Sequence, residues 1–256
     1  MSLDGRRILL TGASSGLGAH TVRLLAGQGA QVVAAARRLD RLEALATELT
    51  EAPGRVIPVL ADVTSEADVD RLVATATGAM GGIDVLVNNA GSEVQGGLEQ
   101  LALADLEGML RANVVTVFLV TRAALPALRE SRGMVVNLGS TVVGRPPHGR
   151  FGYVAGKAAV EAMTRALAAD LGRDGIRINC IPPGIIPSEL RGSTEDEERA
   201  RFETGLHFGR QALSAVGRGS DIAEAIAWLA GDGGRWITGA VIDVDGGLTL
   251  GLSDAL

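Results

Sequence analysis

RILLTGASSGLG, residues 7–18, decides the fold. A short aliphatic run ends in a threonine–glycine turn, and glycines recur at Gly12, Gly16 and Gly18 just where a helical period begins. A strand that turns through glycines straight into a helix gathers backbone N–H groups and the positive end of the helix dipole at one point. A pyrophosphate can be held there without a Cβ in its way. The same turn can also serve helix packing alone, so its meaning depends on the rest of the chain.

Outward from this stretch, strand-like and helix-like segments alternate to the end of the chain. QVVAAA is followed by LDRLEALATEL, RVIPVLAD by EADVDRLVATATG, and IDVLVNNAG by a long helical period near 103–131; GMVVNLGS and IRINCIPPG flank a helix from Tyr153. Short β-branched or aliphatic runs between helical periods predict parallel strands joined by crossover helices. The expectation is an α/β fold, a doubly wound parallel sheet of the Rossmann type, as a single domain over residues 1–256 with no repeat or linker. Ligands in such sheets sit at the carboxyl ends of the strands where strand order reverses, and TGASSGLG, NNAG, NLGS and IPPG all fall there. One segment, 187–218, breaks the alternation with dense charge directly after a strand end, and is expected to fold over the site as a substrate lid.

Composition narrows the partners. A chain of 256 residues, 46% hydrophobic and 21% charged, is long enough for one large core. A net charge of -6 with scattered arginines does not make a phosphate-tracking surface, so no nucleic-acid partner is expected. The opening MSLDGRRILLTG lacks the apolar stretch of a signal peptide, and nowhere do roughly 18 apolar residues run together, so a cytoplasmic protein without membrane association is expected. Cys180, the sole cysteine, lies in the apolar run IRINCI and reads as a buried core thiol. His20, His148 and His207 are dispersed, and no metal site is expected.

The chemistry is concentrated in FGYVAGKAAV, residues 151–160, which holds the only tyrosine and the only lysine of the chain. All the other basic side chains are arginine, so an ammonium is needed at Lys157 that a guanidinium does not replace. Tyr153 and Lys157 stand at helical i, i+4 spacing and share a face. A phenol ordinarily titrates near about 10, too high for proton transfer at neutrality. An ammonium about 4 Å away at an effective dielectric near 20 contributes about 4 kcal/mol, enough to draw the phenol toward the range useful for general acid–base work. Asp62, with Val63 after the third strand, has two readings: an acceptor for an adenine amino group, or a cap for the helix near Ser65. In the 141–150 loop, Arg145, His148 and Arg150 border the site and read as solvated, with contact to an anionic substrate as the alternative.

In order along the chain, TGASSGLG, Asp62-Val63, NNAG, Asn113, Ser140, YVAGK and the Pro183-Gly184 turn resemble the motifs of the short-chain dehydrogenase/reductase family, in its compact form, over nearly the whole length. The resemblance implies hydride transfer between a nicotinamide cofactor and a small carbonyl or alcohol substrate. It implies a catalytic tetrad of Asn113, Ser140, Tyr153 and Lys157, and a cofactor lying along Gly12, Ser14, Ser15, Gly16, Leu17 and Gly18, then Asn89, Ala90 and Gly91, and finally Tyr153, Lys157, Pro183, Gly184, Ile186 and Ser188. A carbonyl reductase, with 3-oxoacyl thioesters among its substrates, is the leading reading. An NAD-dependent dehydrogenase of a secondary alcohol, sugar or steroid is the alternative, and a non-catalytic dinucleotide sensor a remote one.

Cofactor preference rests on QVVAAARRLD. An NAD-selective fold places Asp or Glu at the end of the second strand to accept from the adenosine ribose hydroxyls; here the position is Ala36, followed by Arg37 and Arg38. Guanidinium forks suit a 2′-phosphate, so NADP(H) is preferred over NAD(H), with Arg37 as the stronger contact and Ser14 adding a hydroxyl. The helix after Tyr153 carries small apolar residues almost all round, more than one core face can bury. A homotetramer, as in the family, is expected.

Overall fold

In the computed structural model the described residues are 3–187, 194, 196–197, 200, 211–213 and 215–251. Most of the segment expected to form a lid, and Ser188 with it, lies outside them. The strands are β1 (Arg7–Thr11), β2 (Gln31–Ala36), β3 (Arg55–Leu60), β4 (Val85–Asn88), β5 (Met134–Leu138) and β6 (Arg177–Ile181). The helices are α1 (Gly16–Gly27), α2 (Leu39–Glu48), α3 (Glu66–Met80), α4 (Leu103–Leu110), α5 (Thr116–Ser131), α6 (Phe151–Leu171) and α7 (Gly219–Ala230). Every strand pairing is parallel, and the order across the sheet is β3-β2-β1-β4-β5-β6. The order reverses between β1 and β4, which opens a crevice above their carboxyl ends.

Apart from β3, an edge strand half-exposed along its length, the strands are buried on both faces, which is why they read as continuous aliphatic runs rather than alternating ones. In β1, Ile8 and Leu10 pack into one apolar layer with Val22 and Leu25 of α1 and Ile222 and Ile226 of α7, while Leu9 faces the other layer with Leu72 of α3 and Leu119 of α5. Beyond β6, residues 240–244 run alongside it: Cys180 N donates to Ala240 O at 2.8 Å and Ile242 N to Cys180 O at 2.9 Å. Cys180 is a buried free thiol, pushed up to about 12 by the loss of solvent around it, and is inert at neutral pH.

Two asparagines interrupt the apolar strands, and the sheet register brings them face to face. Asn88 of β4 stands opposite Asn137 of β5. Asn88 Nδ2 donates to Asn137 Oδ1 at 2.9 Å and to Thr121 Oγ1 at 3.1 Å, and Asn137 Nδ2 donates to Thr164 Oγ1 at 2.9 Å. This buried chain of amides and hydroxyls satisfies its members mutually and ties α5, β4, β5 and α6 together beneath the crevice. Among the described residues no helix is long and apolar enough to cross a membrane.

Candidate active site

A cavity of about 810 Å³ lies over the carboxyl ends of the strands, and its walls carry the glycine turn, Ala36, Asp62, the 89–93 segment, Ser140, Tyr153 and Pro183. Its size falls within the roughly 300–1,000 Å³ usual for cofactor and ligand sites.

The glycine turn is built for an anion. Ser15 is the N-cap of α1 but its side chain makes no capping bond, so the first N–H groups of that helix are left for another acceptor. Gly12 is in the left-handed region at φ 69°, and a Cβ on Gly18 would lie 2.2 Å from Gly12 O, so α1 can seat against the turn only through glycine. The turn is held from across the crevice: Asn89 Nδ2 donates to Thr11 O at 2.9 Å and to Gly12 O at 3.0 Å. The Thr11 hydroxyl accepts from the N–H groups of Asn89 and Ala90, both at 3.2 Å. The glycines, serines and helix end therefore fit a pyrophosphate.

The hydroxyl of Ser15 is engaged elsewhere. Arg38 Nη2 donates to Ser15 Oγ at 2.7 Å and to Ser14 Oγ at 3.1 Å, and Arg38 Nε to Ser14 Oγ at 3.2 Å. Arg38 thus closes over the turn next to Ala36, and both Arg37 and Arg38 line the cavity. Arg37 is exposed and lends its field to Asp62. Asp62 does not cap the helix after it either. Its Oδ1 accepts from Thr64 N at 2.9 Å and Thr64 Oγ1 at 2.8 Å, and those bonds hold its pKa below the usual carboxylate value. Ser65 caps α3 by accepting from Asp68 N. Val63, beside Asp62, and Leu17 and Gly16 of the turn line the same cavity.

At the other end, α6 brings Tyr153 and Lys157 to one buried face, 7% and 5% exposed. Lys157 Nζ donates to Leu138 O at 2.8 Å and lies 5.6 Å from the centroid of the Tyr153 ring. Loss of solvent lowers the Lys157 ammonium to about 8. Asn113 sits in a π-helical turn, Arg111–Val115, inserted between α4 and α5; Thr116 N donates to Arg111 O, five residues back. The Asn113 amide donates to Ser92 O at 2.8 Å and Met109 O at 2.9 Å, while its buried Oδ1 has no hydrogen-bond partner among the described residues. A Cβ on Gly91 would lie 2.6 Å from that oxygen and 3.7 Å from Lys157 Nζ, so glycine there leaves the two groups open to a shared neighbour. Ser140, partly buried after β5, accepts from Val142 N at 3.4 Å. The Pro183-Gly184 turn is fastened by Thr141, whose Oγ1 donates to Pro183 O at 3.1 Å, and by Val244 O, which accepts from Gly184 N at 3.0 Å. Ile186, two residues on, is buried against the cavity.

Two arginines of the 141–150 loop are not solvated. Arg145 Nη1 donates to Leu248 O at 2.9 Å. Arg150 has a side chain 12% exposed and pairs with Glu93, 3% exposed, at 3.2 Å. The Asn88–Asn137 chain and the Glu93–Arg150 pair were missed from sequence; asparagines inside VLVN and MVVNL were the available signal for the first. Among the described residues no group of His, Cys, Asp and Glu could hold a metal ion.

Known proteins resemble this chain over nearly its whole length. The profile of the family described as Enoyl-(Acyl carrier protein) reductase matches residues 12–249. Glucose 1-dehydrogenase of Gluconobacter oxydans is 37% identical over 250 residues, 96% of this chain and 92% of that protein. 3-Oxoacyl-[acyl-carrier-protein] reductase of Thermotoga maritima is 35% identical over 253 residues, 98% of this chain and 100% of that protein. A short-chain dehydrogenase from Burkholderia cenocepacia, solved in complex with NADP, superposes with a TM-score of 0.87 at 33% identity, covering 97% of this chain and 99% of that one.

Proposed function

Because the chain belongs to the short-chain dehydrogenase/reductase family, we propose that it interconverts a ketone and a secondary alcohol with NADP(H), using Asn113, Ser140, Tyr153 and Lys157. The observation that carries this reading is the burial of Tyr153 and Lys157 on one face of α6, inside the cavity onto which the uncapped end of α1 opens. The nicotinamide, when bound, supplies or accepts the hydride at the reacting carbon. Ser140 holds the substrate oxygen by its hydroxyl. Tyr153 gives that oxygen its proton as charge develops on it in reduction, and takes the proton away in oxidation. Lys157, about 8 and so still charged at neutral pH, favours the ionised form of the tyrosine and donates to sugar hydroxyls. Asn113 holds the π-helical turn open through its amide, keeping an acceptor beside the lysine. A panel of ketones and secondary alcohols, followed at the nicotinamide absorbance with each cofactor, tests the reading. Turnover with NADPH is expected, and no turnover of any member with either cofactor overturns it.

The preference for NADP(H) rests on Ala36, where no carboxylate opposes a 2′-phosphate, and on Arg38 with the two serine hydroxyls beside it. Arg38→Ala is expected to weaken NADPH binding by about 1.5–3 kcal/mol, roughly ten- to a hundredfold, and to leave NADH binding almost unchanged. Equal losses for both cofactors in fluorescence titration would remove Arg38 from phosphate recognition.

A homotetramer belongs to the same reading. On the outer face of α6 Ala155, Ala162, Ala166 and Ala169 are exposed alongside Arg165 and Asp170, and Phe118 on α5 is 47% exposed. Apolar helix faces of this kind are covered by a neighbouring copy. Light scattering at micromolar concentration is expected to give the mass of four chains, and the mass of one chain is the contrary result.

A further inference from the structure

The π-helical turn is tied to both halves of the cavity, and one of its ties has no part in the proton transfer proposed at Tyr153. Arg111, the first residue of the turn, gives its backbone oxygen to Thr116 N, the bond that closes it. Its side chain leaves the helix altogether: Arg111 Nη2 donates to Thr64 O at 2.7 Å, across 47 residues of sequence. Two positions on, Asn113 Nδ2 donates to Ser92 O at 2.8 Å. Thr64 lines the cavity beside Asp62, and Ser92 lines it beside Gly91. The turn therefore joins the loop after β3 to the loop after β4.

The loop after β3 is stiff enough to pass on a displacement. Asp62 Oδ1 accepts from Thr64 N and Thr64 Oγ1, and Ser65 N donates to Asp62 O at 2.9 Å, so residues 62–65 form one closed turn. Thr64 O faces Arg111, and a guanidinium donating to it makes a charge-assisted bond. Arg111 is exposed, so this bond adds little to folding stability; what it does is fix one element against another. An extra residue in a helix is an irregularity that regular bonding would remove. Here it persists at Arg111–Val115, held by the Asn113 amide on Met109 O at 2.9 Å and by the Arg111–Thr64 bond. The Asn113 Oδ1 atom has no hydrogen-bond partner of its own among the described residues, so its aim follows the turn that carries it.

A second tie between the same elements provides the contrast. Arg122 on α5 pairs with Glu66 at the start of α3 and stacks over the Phe118 ring at 5.0 Å. It holds α3 against α5 without touching the π-helical turn. Resting on the proposed seat for the adenosine end of the cofactor beside Asp62, we infer that Arg111 is a positioning residue. It transmits occupation of that end to the π-helical turn, and so sets the Asn113 oxygen beside Lys157 at the other end.

Adenosine 2′,5′-bisphosphate carries the adenosine end without the nicotinamide, and so separates this coupling from turnover. Hydrogen exchange of the full chain is followed over residues 111–117, with and without this fragment, in the wild type and in Arg111→Met, Arg111→Lys and Arg122→Met. In the wild type and in Arg122→Met, saturating fragment is expected to slow exchange there by about fivefold or more. In Arg111→Met the effect is expected to fall below about twofold, with Arg111→Lys in between because an ammonium also donates to the carbonyl. Calorimetry is expected to give fragment affinities within about threefold of one another. Arg111→Met is expected to lower kcat by about tenfold with the KM for NADPH nearly unchanged, while Arg122→Met leaves both near wild type.

Fragment protection that survives in Arg111→Met, or that Arg122→Met loses as well, overturns the inference. The same holds for a loss of kcat in Arg111→Met that comes with a lower melting temperature and intact protection, the signature of a merely structural bond. Should Arg111→Met fail to fold, Arg111→Gln, shorter and so out of reach of Thr64 O, takes its place. A fragment that binds the wild type without protecting residues 111–117 defeats the inference alone, and a fragment that does not bind defeats the cofactor reading on which it rests.

Discussion

Tyr153→Phe is expected to lower kcat/KM by about 10³-fold or more, while cofactor affinity stays within about twofold and the melting temperature within a few degrees. The ring of Tyr153 is buried on α6 together with Lys157, and phenylalanine refills that space. What is lost is the dissociable proton, the one feature of the residue that the reaction uses. Since an interaction made only as charge develops on the substrate oxygen is removed, kcat falls along with kcat/KM instead of KM rising alone. Steady-state kinetics and a fluorescence titration of the cofactor separate these outcomes. A variant with near wild-type kcat would show that another group carries the proton.

Lys157 sets function against stability. In the unfolded chain its ammonium holds its proton up to about 10.5, whereas in the folded protein burial brings this down to about 8. Between these values the unfolded state binds more protons, so folding becomes more favourable as pH rises through that window; below about 8 the folded state bears the whole cost of the buried charge. A fall of that size corresponds to about 3 kcal/mol against the charged form. Lys157→Met removes it and gives back about 1 kcal/mol by leaving Leu138 O without its donor. The variant is therefore expected to be more stable than wild type by about 2 kcal/mol at pH 7 in urea unfolding, with the advantage shrinking toward pH 10, and to lose about 10²-fold or more in kcat/KM. Lys157→Arg is expected to lose activity without the stability gain, because a guanidinium remains charged throughout this range and its burial cost is never relieved. Wild-type stability that is flat from pH 8 to 10 would contradict the account.

The succession of strands and helices and the position of the crevice were legible because the strands other than β3 are buried on both faces and each helix on one, so periodicity changes visibly at the junctions. The glycine turn and the Tyr153–Lys157 spacing were legible because their chemistry depends on local geometry. The serine contacts of Arg38 were not legible, because adjacent residues leave a strand end in opposite directions, and which one turns toward Ser14 and Ser15 depends on where α2 begins. The π-helical turn was foreshadowed only by a polar residue in an apolar helix. Asn88 and Asn137 meet because of the β4–β5 register, and Glu93 and Arg150 because two loops are zipped by one backbone bond; the first pairing leaves only two asparagines in apolar strands as its trace in local sequence, and the second leaves none.

The central place of β1 governs how the chain can assemble. Its pairing with β2 joins residues 24 positions apart, Arg7 with Gln31, whereas its other edge waits for β4, where Ile8 meets Val85. As the polypeptide leaves the ribosome, β1, β2 and β3 can therefore associate while the second edge of β1, Ile8-Leu9-Leu10, still shows bare N–H and C=O groups to any strand that comes by. Closing that edge requires a long loop, and only then does Asn89 reach Thr11 and Gly12. The nucleotide cradle is thus among the last parts of the first half to exist, and during synthesis this edge of β1 is the place where a nascent chain is exposed to pairing with the wrong partner.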